Sequence, residues 1–214
     1  TLEECQAAIA TLNEMGALVP EWVTEQLNRL TTNRTNNYSI YETLRSNSKF
    51  PYSNELVKCI TDTVDNLLVN TSNAKEPGLL LGKIQCGKTN AFENIIGMSF
   101  DRGIDVCVVL TKGTNTLAYQ TIERLRYDFR HFKETDRLDQ PVIVEVDDIK
   151  DLHKRGGLSD NQVHRAGAKR IIVCMKQKVN MQYLIKLFKD DSPALRQKKV
   201  LIVDDEADFA SRNY

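Results

Sequence analysis

The sequence predicts an α/β domain built on a mostly parallel sheet and preceded by a small helical region. Two observations predict it. After residue 78, short runs of Val, Ile and Leu alternate with segments whose apolar residues recur every three or four positions. Uninterrupted apolar runs suit strands covered on both faces, and their alternation with helices is the pattern of a parallel sheet flanked by helices. Before residue 71, by contrast, the apolar periodicity is helical.

Taken in order, the first region, 1–70, holds three helical patterns, at 2–15, 21–30 and 54–69. The third is the clearest: Leu56, Ile60, Val64, Leu67 and Leu68 share one face, and Ser53 is placed to cap its start. Trp22, in the second pattern, reads as a packing residue. Between the second and third lies "TTNRTNNYSIYETLRSNSKFPYSN", rich in Asn and Ser, which reads as a loop or irregular connection. A composition change at "TSNAKEPG", 71–78, is read as a linker, leaving 79–214 as the α/β domain. There the strand candidates are "LLLG", "DVCVVLT", "PVIVEV", "RIIVCM" and "KVLIVDD". Helices are expected at 89–100, 115–132 and 179–188, the second carrying an apolar stripe of Leu117, Ile122, Leu125, Phe129 and Phe132. "HKRGGLSDNQVHRAGAKR", 153–170, reads as a mobile basic loop with a short helix.

Composition narrows the function classes. The 214 residues are 41% hydrophobic and 27% charged, a globular balance, and no apolar stretch approaches the ~20 residues that a membrane span needs. There is no signal-peptide pattern, and a start at Thr1 suggests a processed or excised segment. Five cysteines, odd in number and never in a C-x-x-C pair, argue against a disulfide framework and a zinc site, so a cytoplasmic location is expected. Net charge is zero but uneven. Residues 1–70 carry nine acidic and five basic side chains, whereas 154–199 carry twelve basic and three acidic. The second segment is either a polyanion footprint or a solvated lysine-rich face.

The residues that carry chemistry begin at "GKIQCGKTN", Gly82 to Asn90, which fits G-x-x-x-x-G-K-[ST] between an apolar strand and a helix starting near Lys88. Gly82 and Gly87 permit a close backbone approach, and main-chain N–H groups from Ile84 through Gln85, Cys86 and Gly87 to Asn90 suit an anion at a helix N-terminus. Lys88 suits the β- and γ-phosphates of ATP, and the Thr89 hydroxyl suits Mg²⁺. Far downstream, "KKVLIVDDEADFAS" ends an apolar strand in carboxylates. Asp205 suits the metal and Glu206 the activation of water, with Asp204 competing with Asp205, since a one-residue slip exchanges them. Asp148-Ile-Lys150 is a fragment of a nuclease pattern without its upstream partner, and His131, His153 and His164 have no metal-ligand spacing.

"DEAD" at Asp205 to Asp208, taken with the phosphate loop, resembles motifs II and I of superfamily 2 helicases and translocases. "VVLTKGTNTLAYQTIERL", with Gln120, Thr121, Arg124 and Leu125, is similar to their motif Ia unit, and "IIVCMKQKVNMQYLIKLF" to the unit bearing motif Ib. Helicase-like ATPase segments of restriction and phage-defence proteins, including the endonuclease class called Z-one, show the closest likeness, over 79–211. Cys86 departs from the serine usual there.

The resemblance implies a RecA-like P-loop NTPase domain, the first of two. The second, with its arginine fingers, is absent from the 214 residues. It also implies an ATP hydrolase using Mg²⁺ and moving on nucleic acid, DNA rather than RNA, with a nuclease domain or subunit attached. By the same resemblance Thr111, Lys112, Gly113 and Thr114 touch nucleic-acid phosphates, joined by Lys176 and Lys178 at the next helix start; Thr114 is equally placed to cap a helix. The alternative is a nucleotide-binding switch or scaffold that recruits a partner without translocating.

Overall fold

The computed structural model describes residues 39–48, 51–69, 88–112, 114–133 and 142–205. The helical patterns at 2–15 and 21–30, Trp22, the linker at 71–78 and the strand expected at 79–82 lie outside the described residues. Described residues from Ile40 onward belong to one compact unit.

The unit opens with helices α1 (Ile40–Ser46), α2 (Asn54–Val69) and α3 (Lys88–Asp101). Strand β1 (Val106–Thr111), α4 (Asn115–Asp128) and β2 (Ile143–Asp148) follow. Next come α5 (Ile149–Lys154), α6 (Asp160–Val163), β3 (Ala168–Met175), α7 (Lys178–Lys186) and β4 (Val200–Asp204). The four strands form one all-parallel sheet in the order β2-β3-β1-β4. The α/β expectation therefore holds for the described residues, and four of the expected strands occur where the apolar runs stand.

Alternation along each strand divides the core in two. Cys107, Val109, Ile171 and Val173 turn to the face covered by α1, α3 and α4, meeting Leu44, Phe92, Ile96, Ile122 and Leu125. Val106, Val108, Ile172 and Cys174 turn to the opposite face, covered by α5, α6 and α7 through Leu152, Val163 and Leu184. A third layer lies outside α3, where Ile60 and Val64 of α2 pack with Tyr41, Ile95 and Met98. The expectation of strands buried on both faces fails at β4. Among the described residues Ile202 is 62% exposed and borders an open apolar groove of about 620 Å³ with Val108, Leu184, Phe188 and Val200.

Two segments differ from the sequence-based expectation. The Asn- and Ser-rich stretch at 31–54, read as a loop, contains α1. Its first two N–H groups, of Ile40 and Tyr41, each donate at 2.9 Å to the carboxylate of Asp101, at the end of α3. That carboxylate satisfies orphan donors and sits at the favourable end of the helix dipole. The cap lies sixty residues away, which is why the local composition hides it. The basic stretch at 153–170, read as a mobile loop with a short helix, holds that helix as α6 but is docked rather than mobile. Ser159 and Gln162 form a reciprocal capping box on α6, and the buried Ser192 hydroxyl accepts from Leu158 N at 2.6 Å. Gly157 makes the close approach possible: it has φ +90°, and a Cβ there would stand 2.9 Å from the Asp191 carbonyl oxygen. The expected cap of α2 is present, with Leu56 N donating to Ser53 Oγ at 3.2 Å.

One buried contact between α3 and α4 is charged. Glu93, only 6% exposed, faces Asp128, with Arg124 and Arg130 on the Asp128 side. Desolvation first, then the neighbouring Asp128 carboxylate, pushes the Glu93 carboxyl up to about 8, so Glu93 carries the proton and donates it to Asp128. The folded chain thus holds this proton more tightly than the unfolded chain, and stability is lost as pH rises from the ordinary glutamate value of 4.5 through 8. Glu93→Gln keeps the hydrogen bond without the titration. It is expected to melt above the wild type at pH 8, by at least ~1 kcal/mol given about 1.4 kcal/mol per pH unit, and to match it near pH 5. Thermal melts across that range read the difference.

Candidate functional site

In an open parallel sheet, ligands bind beyond the carboxyl ends of the strands, in a crevice where successive connections leave on opposite faces. Here the chain leaves β1 for α4 on one face and β3 for α7 on the other, and β1 and β3 are neighbours. The rim formed by the ends of β1, β3 and β4 is therefore the candidate site. Its registers are fixed: Thr111 pairs with Met175, and Leu110 with Asp204.

Helix α3 reaches the same rim. It ends at Asp101 and turns through Gly103, at φ 95°, directly into the start of β1, so it runs antiparallel to the strands. Its 14 residues span ~21 Å at 1.5 Å each. A six-residue strand spans ~20 Å at 3.3 Å each. Lys88, the first residue of α3, thus stands at the level of the strands' carboxyl ends. The rest of the candidate phosphate loop, Gly82 to Gly87, lies outside the described residues, as do the side chains of Lys88, Thr89 and Asn90.

The acidic residues after β4 are at the rim as well. Asp204 is the last residue of β4, and Asp205 follows with its N–H donating to Leu110 O at 2.9 Å. Asp204 Oδ1 lies 2.7 Å from Lys176 Nζ, which also donates to Asp205 O at 3.1 Å. Glu206 lies outside the described residues. No group of three or more potential metal-ligating side chains occurs among the described residues.

The residues expected to touch nucleic acid are only partly brought together. Thr111 is 2% exposed, inside β1, and does not open onto the rim. Lys112 is half-buried just beyond it, and Gly113 is outside the described residues. Thr114 caps α4, its hydroxyl accepting from Leu117 N at 3.4 Å. Lys178 is exposed as the first residue of α7, but Lys176 is turned toward β4 and its side chain is only 11% exposed.

The basic segment is not a free cationic patch. Arg170, buried at 6% exposure, lies between Glu145 and Asp147 of β2, and Arg155 reaches Asp147 at 2.6 Å. Lys169 pairs with Asp105 at 3.2 Å and Lys154 with Asp151 at 3.2 Å. Acids drawn from outside the segment neutralise much of its surplus, a pairing invisible in a linear charge count.

The residues of the nuclease-like fragment and His153 have structural work. Asp148 caps α5 by accepting from Lys150 N at 2.8 Å, and Lys150 Nζ bridges to Asn115 Oδ1 at 2.8 Å. His153 stacks on Tyr183 at a 3.8 Å centroid distance. Sequence reasoning missed one feature near the rim: Asn180 is a buried polar residue in the first turn of α7, 2% exposed, with Nδ2 lacking a hydrogen-bond partner. A lone Asn between Val179 and Met181 was the available signal.

Comparisons with protein-family models, with curated proteins and with solved structures return no match for this chain. Among the described residues, no helix is long and apolar enough to cross a membrane.

Proposed function

We propose that this unit is the nucleotide-binding, first RecA-like domain of a superfamily 2 helicase-like ATPase, working on nucleic acid, DNA rather than RNA, in a restriction or defence setting. One observation carries the reading. The helix that follows G-x-x-x-x-G-K-T begins at the same rim of the sheet at which β4 delivers Asp204 and Asp205. Orphan N–H groups at a helix start suit phosphate, and a carboxylate beside a threonine hydroxyl suits Mg²⁺, a hard ion content with few protein ligands. The donor set fits.

ATP would supply the phosphoryl group and Mg²⁺ the charge that offsets it. The chain's own part is positional. Lys88 and the loop amides hold the triphosphate, Thr89 and Asp205 hold the ion, and Glu206 orients water. Lys112, Thr114 and Lys178, ranged along the rim beyond β1 and β3, offer an ammonium, a hydroxyl and a second ammonium to a phosphate backbone, contacts that position without reading sequence. A second RecA-like domain would complete the site, and a nuclease domain or subunit would fit the proposed setting.

Three outcomes test this. Lys88→Ala should weaken a fluorescent ATP analogue by ~1.5–3 kcal/mol, the worth of a charge-assisted phosphate contact, while the far-UV spectrum stays unchanged. Equal affinities would remove the loop from its role.

Turnover by the 214-residue chain alone should be very slow, since a missing arginine finger forfeits ~10³–10⁵ in rate. A phosphate-release assay showing rapid turnover by the monomer would contradict the two-domain reading.

Native-state alkylation, read residue by residue by mass spectrometry, should label the exposed Cys59. It should spare Cys107 and Cys174, whose burial raises the thiol pKa, that of Cys174 to about 12. Cys86, beside Lys88 in the loop, should label readily and be protected by Mg-ATP, with Cys59 as the unprotected reference.

A further inference from the structure

The two edges of the sheet are finished differently. Strands β2 and β4 lie at opposite ends of the order β2-β3-β1-β4, so each has one side without a strand among the described residues. An unpaired edge is a template for another chain, and native proteins commonly blunt it. On β2 the blunting is visible. Ile143 N bonds Gly167 O on the β3 side, so by the alternation of a parallel ladder Val144 and Val146 turn their main-chain groups outward. Arg126 closes that side by donating to Val146 O at 3.4 Å, and the side chains of Ile143 and Val144 are buried. On β4 the described residues supply no such cover. Lys199 O accepts from Asp105 N at 2.9 Å, and Asp205 N donates to Leu110 O at 2.9 Å, so the odd-numbered residues bond β1. Val200, Ile202 and Asp204 therefore turn N–H and C=O outward, and no hydrogen bond among the described residues meets those main-chain groups. The side chains on the same positions are uncovered too. Val200 is 36% and Ile202 62% exposed, and both line the open apolar groove.

The sequence along this edge also fits itself. Lys198 and Lys199 precede the apolar run 200–203, and Asp204 and Asp205 follow it. A second copy laid parallel sets lysine against lysine and aspartate against aspartate, which like charges oppose. A copy laid antiparallel about a two-fold axis at Ile202 sets Lys199 opposite the partner's Asp205, Val200 opposite the partner's Asp204 and Leu201 opposite the partner's Val203. By formal charge, each strand's basic end then lies beside the other's acidic end. Ile202 meets its own counterpart on the axis, so the most exposed apolar side chain of the strand is covered by an identical one. The backbone agrees with this register, because the outward groups of 200, 202 and 204 are the ones that such pairs exchange. We infer that the outer edge of β4 docks a second copy of this chain, antiparallel about an axis at Ile202, joining the two sheets into one. The contact is isologous and closes on itself. It goes beyond the nucleotide reading and stands without it.

The test uses the whole 214-residue chain. Sedimentation equilibrium over the micromolar range should show monomer and dimer and nothing larger. Ile202→Lys sets like charges face to face on the axis and removes an apolar side chain from each copy, so it should weaken the dimer by at least ~100-fold. Because Ile202 is exposed, the melting temperature of the dilute, monomeric variant should match that of the equally dilute wild type. Two cysteine variants read the register. Counterpart Cα atoms at position 202 stand ~5.5 Å apart in a hydrogen-bonded pair, within disulfide reach, whereas those at position 200 are ~14 Å apart. Mild oxidation should therefore bridge Ile202→Cys to its counterpart and leave Val200→Cys without such a bridge, as peptide mass spectrometry reads against the oxidised wild type. A wild type that stays monomeric overturns the inference and is the outcome if a different strand holds the edge. A dimer that survives Ile202→Lys overturns it because the copies then meet elsewhere. A bridge at Val200→Cys in place of Ile202→Cys overturns the register, and species larger than the dimer overturn the closed two-fold contact.

Discussion

Helix α3 is buried on nearly every side, and the unit is arranged to keep it dry. Every residue from Ala91 to Phe100 is buried, including Glu93, Asn94 and Ser99. A helix buried all round belongs to a core, and its few polar side chains need partners there. The sheet covers one side of it through Phe92, Ile96 and Phe100, while α1 and α2 cover the other through Tyr41, Ile60 and Val64. Burying each large apolar side chain of α3 is worth ~1.5–3 kcal/mol. The set together rivals the ~5–15 kcal/mol by which a whole domain is stable. Helices α1 and α2 are therefore part of the fold rather than an appendage. They hold in place the helix whose first residue, Lys88, stands at the rim.

Polar contacts then fix α3 in register. Asp101 at its far end caps α1, Arg102 pairs with Asp65 of α2, and Asn94 donates to the Tyr52 hydroxyl at 2.6 Å. The first two contacts join the end of α3 to α1 and α2, which pack against it through apolar residues as well, and the third joins it to the segment that leads into α2. Gly97 permits the closeness: a Cβ there would stand 2.7 Å from Leu44 Cδ1 and 3.2 Å from Ile40 Cγ2. Position along the helix axis is what matters at the rim, because a shift of one residue moves the helix start by ~1.5 Å.

Much of this was legible in the sequence where the signal is local. The run Val106–Thr111 reads as a strand because parallel strands covered on both faces need no alternation, and α2 reads as a helix because its apolar stripe and Ser53 cap lie within one segment. What was not legible depends on distant partners. Helix α1 takes its cap from Asp101. The basic run at 154–199 finds its counter-charges on β2 and at Asp105. The Asp204 carboxylate meets Lys176, 28 residues earlier and two strands away. The docking of 153–170 depends on Gly157 accepting a positive φ against the Asp191 backbone, where the Gly156-Gly157 pair alone suggests slack. At the candidate site the loop and acidic motifs were legible, whereas the burial of Thr111 and the engagement of Lys176 needed the fold.

The core also bears on how such a unit could do work. Ile96, Leu125, Leu152, Ile171 and Ile172 are all essentially inaccessible, and α3, α4 and α7 pack against the same four strands from both sides. Close-packed interiors resist continuous deformation and respond to strain by moving as bodies. On the proposed function, a change at the phosphates therefore cannot be passed along by bending the sheet. It has to be expressed where packing is absent, at the rim and across whatever meets it. The rim connections after β1 and β3 leave on opposite faces, so a partner seated on the rim touches the α4 layer and the α7 layer together. Motion driven by a nucleotide here would thus be relative motion between this unit and the body seated on its rim, which is the mechanical reason for the proposed site to be shared by two domains.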